Sequence, residues 1–346
     1  MTPTLQGLAN RPVQETPHSP SDGIGQADST HTASAPSSLA SRRVVELDYL
    51  KGIMIMLMIS FHLVYIGDSY PYAKQVVYTF HMPVFLVISG YLMNISKSPR
   101  QFSLTLFWLA VPYVVMESGY TVAASMLPIR EHIDKLSAGV FFDKLLLHPL
   151  GPYWYLHTLV ICGLTYYAAS QCSKLSLLSR YLLMGLSFAL YAQVGVVSLT
   201  SSLYFLAGAI IRNSRLSFLQ VFRPSFLSFL AAGLLITQPA NLHPATVGSV
   251  FIVYLVVSGC LAAYPHLAQW LSRLLVYLGR NTLPLFLFSP IFTIICKWLV
   301  PVLSFEPTGL LFLICSLLVC ISGSLFIYKA MGFCGLSPYF FGPKKF

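Results

Sequence analysis

Residues 46–62 read Glu-Leu-Asp-Tyr-Leu-Lys-Gly-Ile-Met-Ile-Met-Leu-Met-Ile-Ser-Phe-His, an apolar run with a cation near one end and an imidazole at the other. As a helix, this run places Lys51 and His62 about 16 Å apart along the axis and within about 20° of the same face. Ionisable groups are costly inside a bilayer, so two of them aligned on one face predict a functional site. The alternative is that Lys51 extends to a lipid headgroup while His62 hydrogen-bonds a neighbouring helix.

The whole chain, like this stretch, is strongly apolar and carries few charges. Of the 346 residues, 56% are hydrophobic and only 9% are charged, and the mean hydropathy is +0.71, whereas soluble proteins carry about 25% charged residues. We therefore predict an all-α integral membrane protein. The net charge of +10 is spread between apolar runs, which indicates membrane topology and not a nucleic-acid surface. The seven cysteines show no metal-ligand spacing, so no metal is predicted.

The apolar runs divide the chain into a membrane domain with two tails. We predict a disordered, Ser/Thr/Pro-rich tail over residues 1–41, a polytopic membrane domain over 42–336 and a short basic tail over 337–346. About ten transmembrane helices are expected. Their approximate ranges are 48–66, 75–95, 102–126, 152–170, 177–195, 197–211, 225–239, 246–264, 274–299 and 308–331. If all ten cross and the N-terminus is cytoplasmic, fifteen of the 21 Lys and Arg residues face the cytoplasm. This excess predicts that both termini are cytoplasmic.

The second predicted span carries another intramembrane histidine. His81 is followed by Pro83, which kinks helices, and by the small pair Ser89-Gly90, which allows helices to approach closely. A short loop, about residues 67–74, joins spans one and two, so we expect an antiparallel hairpin. In that hairpin His62 and His81 lie at similar depth, which predicts one shared site.

Other polar and aromatic residues in the spans have two interpretations each. Glu117 lies inside the third span, either as a protonated structural carboxyl group or as a partner of a histidine. Trp154 and Tyr155 begin the fourth span, where aromatic residues anchor helices at the interface and where sugar rings also stack. Arg280 and Asn281 begin the ninth span, where helix capping and cytoplasmic charge are the alternative to a binding role.

Four motifs, taken in order along the chain, resemble the acyltransferase-3 family. They are Leu47-Asp48-Tyr-Leu-Lys51-Gly with His62, Phe80-His81-Met-Pro83-Val-Phe85, Pro152-Tyr-Trp154-Tyr-Leu, and Leu278-Gly-Arg280-Asn281-Thr-Leu. Lysine at position 51, where most members have arginine, is similar to the fucose 4-O-acetylase-like branch. The resemblance covers about residues 44–330. One departure is Ser289, which stands where relatives usually have a histidine in the late motif, so any role given to that histidine is absent here.

The resemblance implies a membrane-bound O-acyltransferase with acetyl-CoA as the acyl donor. The expected acceptor is a hydroxyl group of a cell-surface carbohydrate or its lipid-linked oligosaccharide precursor, such as exopolysaccharide, capsule or lipopolysaccharide. The expected location is the bacterial cytoplasmic (inner) membrane, as a multi-pass protein among membrane lipids. A polysaccharide assembly complex is a further expected partner.

Roles for the polar residues follow from this chemistry. A sugar hydroxyl group needs a base to take its proton, and a neutral imidazole suits that task. We predict that His62 is this base and that His81 orients it or stabilises the oxyanion, although the two roles could be reversed or one ring could carry the acyl group. Asp48 is predicted to position Lys51. The cations predicted to hold the donor's phosphates are Lys51, Arg42, Arg43 and Arg280. Glu117, Trp154, Tyr155 and Asn281 are the predicted supporting residues.

Two other functions compete with acyl transfer. A transporter or flippase of a lipid-linked sugar would use the intramembrane histidines and Glu117 as a proton relay. It also predicts inverted hydropathy repeats, and the sequence shows no convincing repeat. A non-catalytic scaffold in polysaccharide assembly is favoured by the Ser289 departure but opposed by the intact Lys51, His62 and His81.

Overall fold

The computed structural model describes residues 44–127, 131–214 and 216–343. Every regular element in these ranges is helical, which confirms the all-α prediction. The α-helices are α1 Val45–His62, α2 Val64–Ser69, α3 Pro71–Leu92, α4 Pro99–Met126, α5 Ala138–Leu146, α6 Trp154–Gln171, α7 Leu177–Gln193, α8 Leu199–Asn213, α9 Phe218–Val221, α10 Leu227–Ile236, α11 Val247–Ala263, α12 Gln269–Arg280, α13 Thr282–Ile295, α14 Val300–Leu303, α15 Leu310–Phe333 and α16 Ser337–Phe341.

The long helices support a multi-pass membrane protein. Within the described ranges, five helical segments are long and apolar enough to cross a membrane. They are Pro71–Leu92, Pro99–Met126, Val247–His266, Thr282–Leu303 and Leu310–Phe333. Each of the ten predicted segments contains a helix, but α10 has only 10 residues, about 15 Å in length.

Helix α1 lies at the centre of the bundle. It packs against α3, α11, α12, α13 and α15, and none of its residues is exposed. Leu50, Met54, Ile55 and Ile59 have no accessible surface at all. A helix that is apolar on every side is expected in such a buried position. The two ends of α1 are therefore held in place by surrounding helices.

Glycines set the closest helix contacts. A Cβ atom added at Gly279 of α12 would lie 1.6 Å from the backbone oxygen of Asp48 in α1, and one added at Gly52 would lie 2.0 Å from the oxygen of Leu275. Helices α3 and α8 cross in the same way through Gly90 and Gly208. Small residues at these positions let the backbones touch, as is usual in membrane helix packing.

The ninth predicted span, about 274–299, is wrong as a single helix. Helix α12 ends at Arg280, and Asn281 has the non-helical angles φ −105° and ψ 24° before α13 begins. The Asn281 side chain donates a hydrogen bond to the Tyr277 oxygen (2.8 Å), and the Thr282 hydroxyl group donates to the Gly279 oxygen (2.6 Å). The Asn281 N–H also donates to the Tyr277 and Leu278 oxygens, at 3.2 and 3.1 Å, so several bonds hold the turn between α12 and α13.

The first predicted hairpin also differs in detail. The run 48–66 is interrupted at Leu63, which is extended (φ −68°, ψ 109°). The predicted loop at 67–74 is helical except for Tyr70, because α2 continues to Ser69 and Pro71 begins α3. Proline is well tolerated at the first helical position, where its missing N–H group has no partner to lose.

The tails are only partly described. The predicted tail 1–41, together with Arg42 and Arg43, lies outside the described residues, as do Lys344 and Lys345. Within the described part of the 337–346 tail, helix α16 packs Phe340 and Phe341 against Phe288 of α13, with ring centroids 6.1 and 6.4 Å apart.

Candidate active site

A cavity of about 260 Å³ lies beside the C-terminal end of α1. Its walls come from the end of α1, the middle of α3, the segment that begins α6, the first two turns of α8 and Pro244, which precedes α11. The lining side chains that carry polar or aromatic groups include His62, Tyr78, His81, Trp154, Thr200 and Ser201. The structure thus brings the two predicted catalytic histidines and one predicted supporting residue, Trp154, to the same cavity.

Both histidines are anchored to their own helices through one ring nitrogen. His62 Nδ1 lies 2.7 Å from the Met58 oxygen, and His81 Nδ1 lies 2.8 Å from the Val77 oxygen. A backbone carbonyl oxygen only accepts hydrogen bonds, so each Nδ1 must carry the proton. In a neutral ring this leaves Nε2 with a lone pair, the form that a general base requires.

The free nitrogen of His81 is the most unusual feature of the cavity. The residue is only 2% exposed, and its Nε2 has no hydrogen-bond partner within the described part of the chain. A buried polar atom left without a partner costs about 1–3 kcal/mol. Natural proteins keep few such atoms, and one that lines a cavity indicates a ligand-binding or catalytic position.

Tyr78 lies between the two imidazoles. Its ring centroid is 5.9 Å from that of His62 and 5.1 Å from that of His81, and its hydroxyl group donates to the Phe61 oxygen at 3.2 Å. The histidines do not hydrogen-bond each other, because His81 Nδ1 is bound to Val77 and its Nε2 has no partner among the described residues. The orientation of His62 is thus set by Met58, and not by His81 as one interpretation of the sequence predicted.

A charged cluster occupies the opposite end of α1. Lys51 Nζ lies 2.8 Å from Asp48 Oδ1, and Arg280 Nε lies 3.5 Å from Asp48 Oδ2. The Asp48 side chain is 4% exposed, whereas those of Lys51 and Arg280 are 19% and 49% exposed. Two cations share one buried carboxylate, so the cluster carries a net positive charge and presents it towards the outside of the bundle. This is where the sequence predicted the donor's phosphates.

Glu117 does not reach the histidines. It is fully buried, and its Oε1 accepts a hydrogen bond from the backbone N–H of Leu150 at 2.7 Å. Glu131 accepts one from Gly151 in the same way, at 2.6 Å. Together the two carboxyl groups hold the backbone that leads into Trp154. Of its two interpretations, the structure favours a structural role for Glu117, behind one wall of the cavity.

Two other predicted supporting residues also make contacts within the protein. Tyr155 does not line the cavity; its hydroxyl group hydrogen-bonds Ser89 Oγ at 2.8 Å and so ties α6 to α3. Asn281 caps the end of α12, as described above.

The first turn of α8 also lines the cavity, and no sequence pattern predicted it. Thr200 and Ser201 line the same cavity as the histidines, but they lie 119 or more positions after His81 along the chain. The only local signal was Ser198, a preferred residue for capping a helix N-terminus. That signal predicts where a helix begins, and not what it faces.

The fold and the cavity define the class of the protein: an all-helical, multi-pass membrane protein whose interior contains a pocket with two imidazoles. Within the residues described, no group of three or more His, Cys, Asp or Glu side chains is placed to hold a metal ion.

The chain belongs to the acyltransferase-3 family, whose characteristic domain, described as an acyltransferase domain, matches residues 44–329. The domain is one that acylates, so an acyl donor is implied for members of the family. The chain is also similar to nodulation protein NolL of Sinorhizobium fredii (strain NBRC 101917 / NGR234), at 27% identity over 168 residues. That match covers 42% of this chain and 41% of the relative. No solved structure matches the chain.

Proposed function

We propose that this protein is an O-acetyltransferase that moves an acetyl group from acetyl-CoA to a hydroxyl group of a cell-surface carbohydrate or its lipid-linked precursor. Membership of an acyltransferase family supports transfer over the transporter and scaffold alternatives. The observation that carries the proposal is the pair of imidazoles with Nδ1 anchored and Nε2 directed away from that anchor, in one cavity. The resemblance to the fucose 4-O-acetylase-like branch supports a sugar acceptor.

In this proposal His62 is the general base. The acceptor hydroxyl group enters the cavity beside Trp154, whose ring provides a surface for a sugar. His62 Nε2 takes the hydroxyl proton as the oxygen attacks the acyl carbon. The Met58 carbonyl oxygen keeps the required tautomer by accepting a hydrogen bond from Nδ1–H, and it also stabilises the imidazolium that forms.

The donor is proposed to bind at the charged end of α1. Lys51 and Arg280 attract its phosphates, while Asp48 holds both cations in place. Helix α1 is unbroken from Val45 to His62, so Lys51 and His62 keep their spacing of about 16 Å. The cavity lining on α1 extends from His62 to Met58, about 10 Å short of Lys51. The acyl-carrying arm would have to cover that distance along α1.

We further propose that all ten helical segments cross the bacterial cytoplasmic membrane and that both termini are cytoplasmic. The excess of Lys and Arg on one side supports this arrangement. It places the charged cluster near the cytoplasm, where acetyl-CoA is made, and the histidine cavity in the outer half of the membrane. A surface carbohydrate or its precursor would then be met on the far side, with membrane lipids around the protein and a polysaccharide assembly complex as a partner.

Two experiments test the proposed function. Purified protein in liposomes is incubated with acetyl-CoA labelled in the acetyl group and with glycans or lipid-linked sugars extracted from the source cell. Label is expected in the carbohydrate. In parallel, the gene is deleted and the cell's glycans are compared by mass, with loss of an acetyl increment expected. Unchanged glycans, or movement of sugar across the bilayer without any acyl-CoA, would overturn the proposal.

A further inference from the structure

The anchored histidines leave one chemical task without a residue to perform it. When a hydroxyl group attacks an acyl carbon, negative charge develops on the carbonyl oxygen, and hydrogen-bond donors must stabilise it. In neutral form, His62 and His81 carry their single proton on Nδ1 and use it within their own helices. Their Nε2 atoms therefore accept hydrogen bonds and do not donate them. Donors for the carbonyl oxygen have to come from another wall of the cavity.

The first turn of α8 provides such donors. Helix α8 runs from Leu199 to Asn213, and its cap Ser198 accepts a hydrogen bond from the Ser201 N–H through its side chain (3.4 Å) and from the Ser202 N–H through its carbonyl group (3.0 Å). Among the described residues, Thr200 makes no hydrogen bond through its N–H or its hydroxyl group. Both donors belong to a half-buried residue that lines the cavity. The helix dipole adds a partial positive charge at this end.

A second observation points to a ligand at the same place. His81 is 2% exposed, its Nε2 has no partner among the residues that the structure describes, and it lines the same cavity as Thr200. Within the described part of the chain, an acceptor atom without a donor and a donor group without an acceptor thus line the same cavity. The hydroxyl group of an acceptor and the carbonyl oxygen of an acyl donor, brought together in the cavity, would satisfy both.

The two walls are held together firmly. Helix α3 carries His81 and α8 carries Thr200, and these helices cross at Gly90 and Gly208. A Cβ atom added at either glycine would lie 2.0 Å from a backbone oxygen of the other helix. Donors act on a transition state most effectively when they need no rearrangement during the reaction. The close backbone contact provides this rigidity.

We propose that Thr200 is a catalytic residue whose hydroxyl group, with its own N–H beside it, binds the oxyanion formed during acyl transfer. This inference rests on the proposed function. The acceptor oxygen forms a bond to the thioester carbon, its proton moves to an imidazole Nε2, and the carbonyl π electrons move to the oxygen held by Thr200. As this intermediate collapses, the carbonyl re-forms and the C–S bond breaks. The thiolate leaves and takes the proton from the imidazolium, so the products are an ester and a free thiol.

The test replaces the Thr200 hydroxyl group while keeping the shape of the side chain. For Thr200→Val, kcat for transfer from acetyl-CoA is expected to fall about 10²-fold, as for loss of one oxyanion donor, with KM for acetyl-CoA unchanged. Thr200→Ser keeps a hydroxyl group and is expected to retain most of the activity. Thr200→Ala removes the same hydroxyl group and serves if the valine variant does not fold, as judged by gel filtration in detergent.

A control variant and two separate outcomes distinguish failure of the Thr200 assignment from failure of the proposed function. Thr165→Val removes a hydroxyl group that bonds the Ile161 oxygen within α6, away from the cavity, and is expected to leave kcat unchanged. If folded Thr200→Val or Thr200→Ala keeps more than half of the wild-type kcat, or if only KM changes, the assignment of Thr200 is wrong while the proposed function stands. If the wild-type protein itself transfers no acetyl group, the proposed function fails, and the assignment fails with it.

Discussion

The two ends of helix α1 differ in how their polar groups are satisfied. At the N-terminal end, the Asp48 carboxylate is paired with both Lys51 and Arg280 inside the protein. At the C-terminal end, the two imidazoles use Nδ1 for their own helices, and His81 Nε2 is left without a partner in the described structure. Paired charges are suited to holding a ligand by net charge, whereas an unpaired buried acceptor is suited to taking a proton. The difference predicts that binding and chemistry are separated along one helix.

The largest expected effect is at the cavity end. His62→Ala should lower kcat by about 10²- to 10⁴-fold, because it removes the general base, while donor affinity stays near the wild-type value. His81→Ala is expected to impair transfer as well, and the larger loss identifies the base. Initial rates of acetyl transfer with purified variants provide the measurement. His266→Ala changes an exposed histidine away from the cavity and is the control. Full activity in both His62→Ala and His81→Ala would contradict the assignment of chemistry to the cavity end of α1.

The next effect concerns the packing that holds the charged end in place. Gly279→Ala puts a methyl group 1.6 Å from the Asp48 backbone oxygen, so α12 must move away from α1. The expected destabilisation is about 1–3 kcal/mol or more, seen as a lower melting temperature in detergent and weaker donor binding. Gly185→Ala in α7 is the matched control, because nothing lies within 4 Å of the added atom. Equal melting temperatures for the two variants would show that the α1–α12 contact is not tight.

A smaller effect is expected for the cation itself. Lys51→Ala should weaken acetyl-CoA binding about 10-fold, which corresponds to about 1.4 kcal/mol, and should leave kcat within a few-fold of wild type. The loss is moderate because Asp48 already offsets part of the Lys51 charge and Arg280 remains beside it. Isothermal titration of the purified variant with acetyl-CoA measures the change. If this variant bound acetyl-CoA with wild-type affinity, the proposed donor site at the charged end of α1 would be wrong.

The smallest effect is expected at Glu117, which serves neither end directly. Glu117→Gln keeps an oxygen that can accept the Leu150 N–H bond. Activity should therefore change less than about twofold, and the free energy of unfolding by less than about 1 kcal/mol. Glu117→Ala leaves that N–H group without its acceptor and should lower the melting temperature clearly. If Glu117→Gln instead abolished transfer, the carboxyl group would have a chemical role that the structure does not assign to it.

Much of the fold followed from local sequence patterns. Apolar runs located a helix in each of the ten predicted segments, but they did not show the breaks at Leu63 and Asn281. Leu63 carries no local helix-breaking signal, whereas Asn281 is a common helix-capping residue that stands between Gly279 and Pro284. At Asn281 the break depends on side-chain bonds to Tyr277 and Gly279, and on the close approach of Gly279 to Asp48.

The candidate site, like the fold, was predicted only where residues are close together in the sequence. Helical spacing alone related Lys51 to His62, because both lie on one unbroken helix. Glu117 and Tyr155 make their hydrogen bonds outside the cavity, which their positions in the predicted spans did not show. Thr200 was not foreseen, because nothing in residues 198–201 indicates that this turn faces α3.

The sequence by itself determined that this is a helical membrane protein, that it belongs to an acyltransferase family and that one helix carries a cation and an imidazole on a common face. These properties depend on composition, on short motifs and on the fixed rise of a helix. The tertiary structure alone decided which groups share the cavity. His62, His81, Trp154 and Thr200 come from four helices, and their meeting depends on packing contacts such as that between Gly90 and α8. Such contacts join residues far apart in the chain, and no local pattern encodes them.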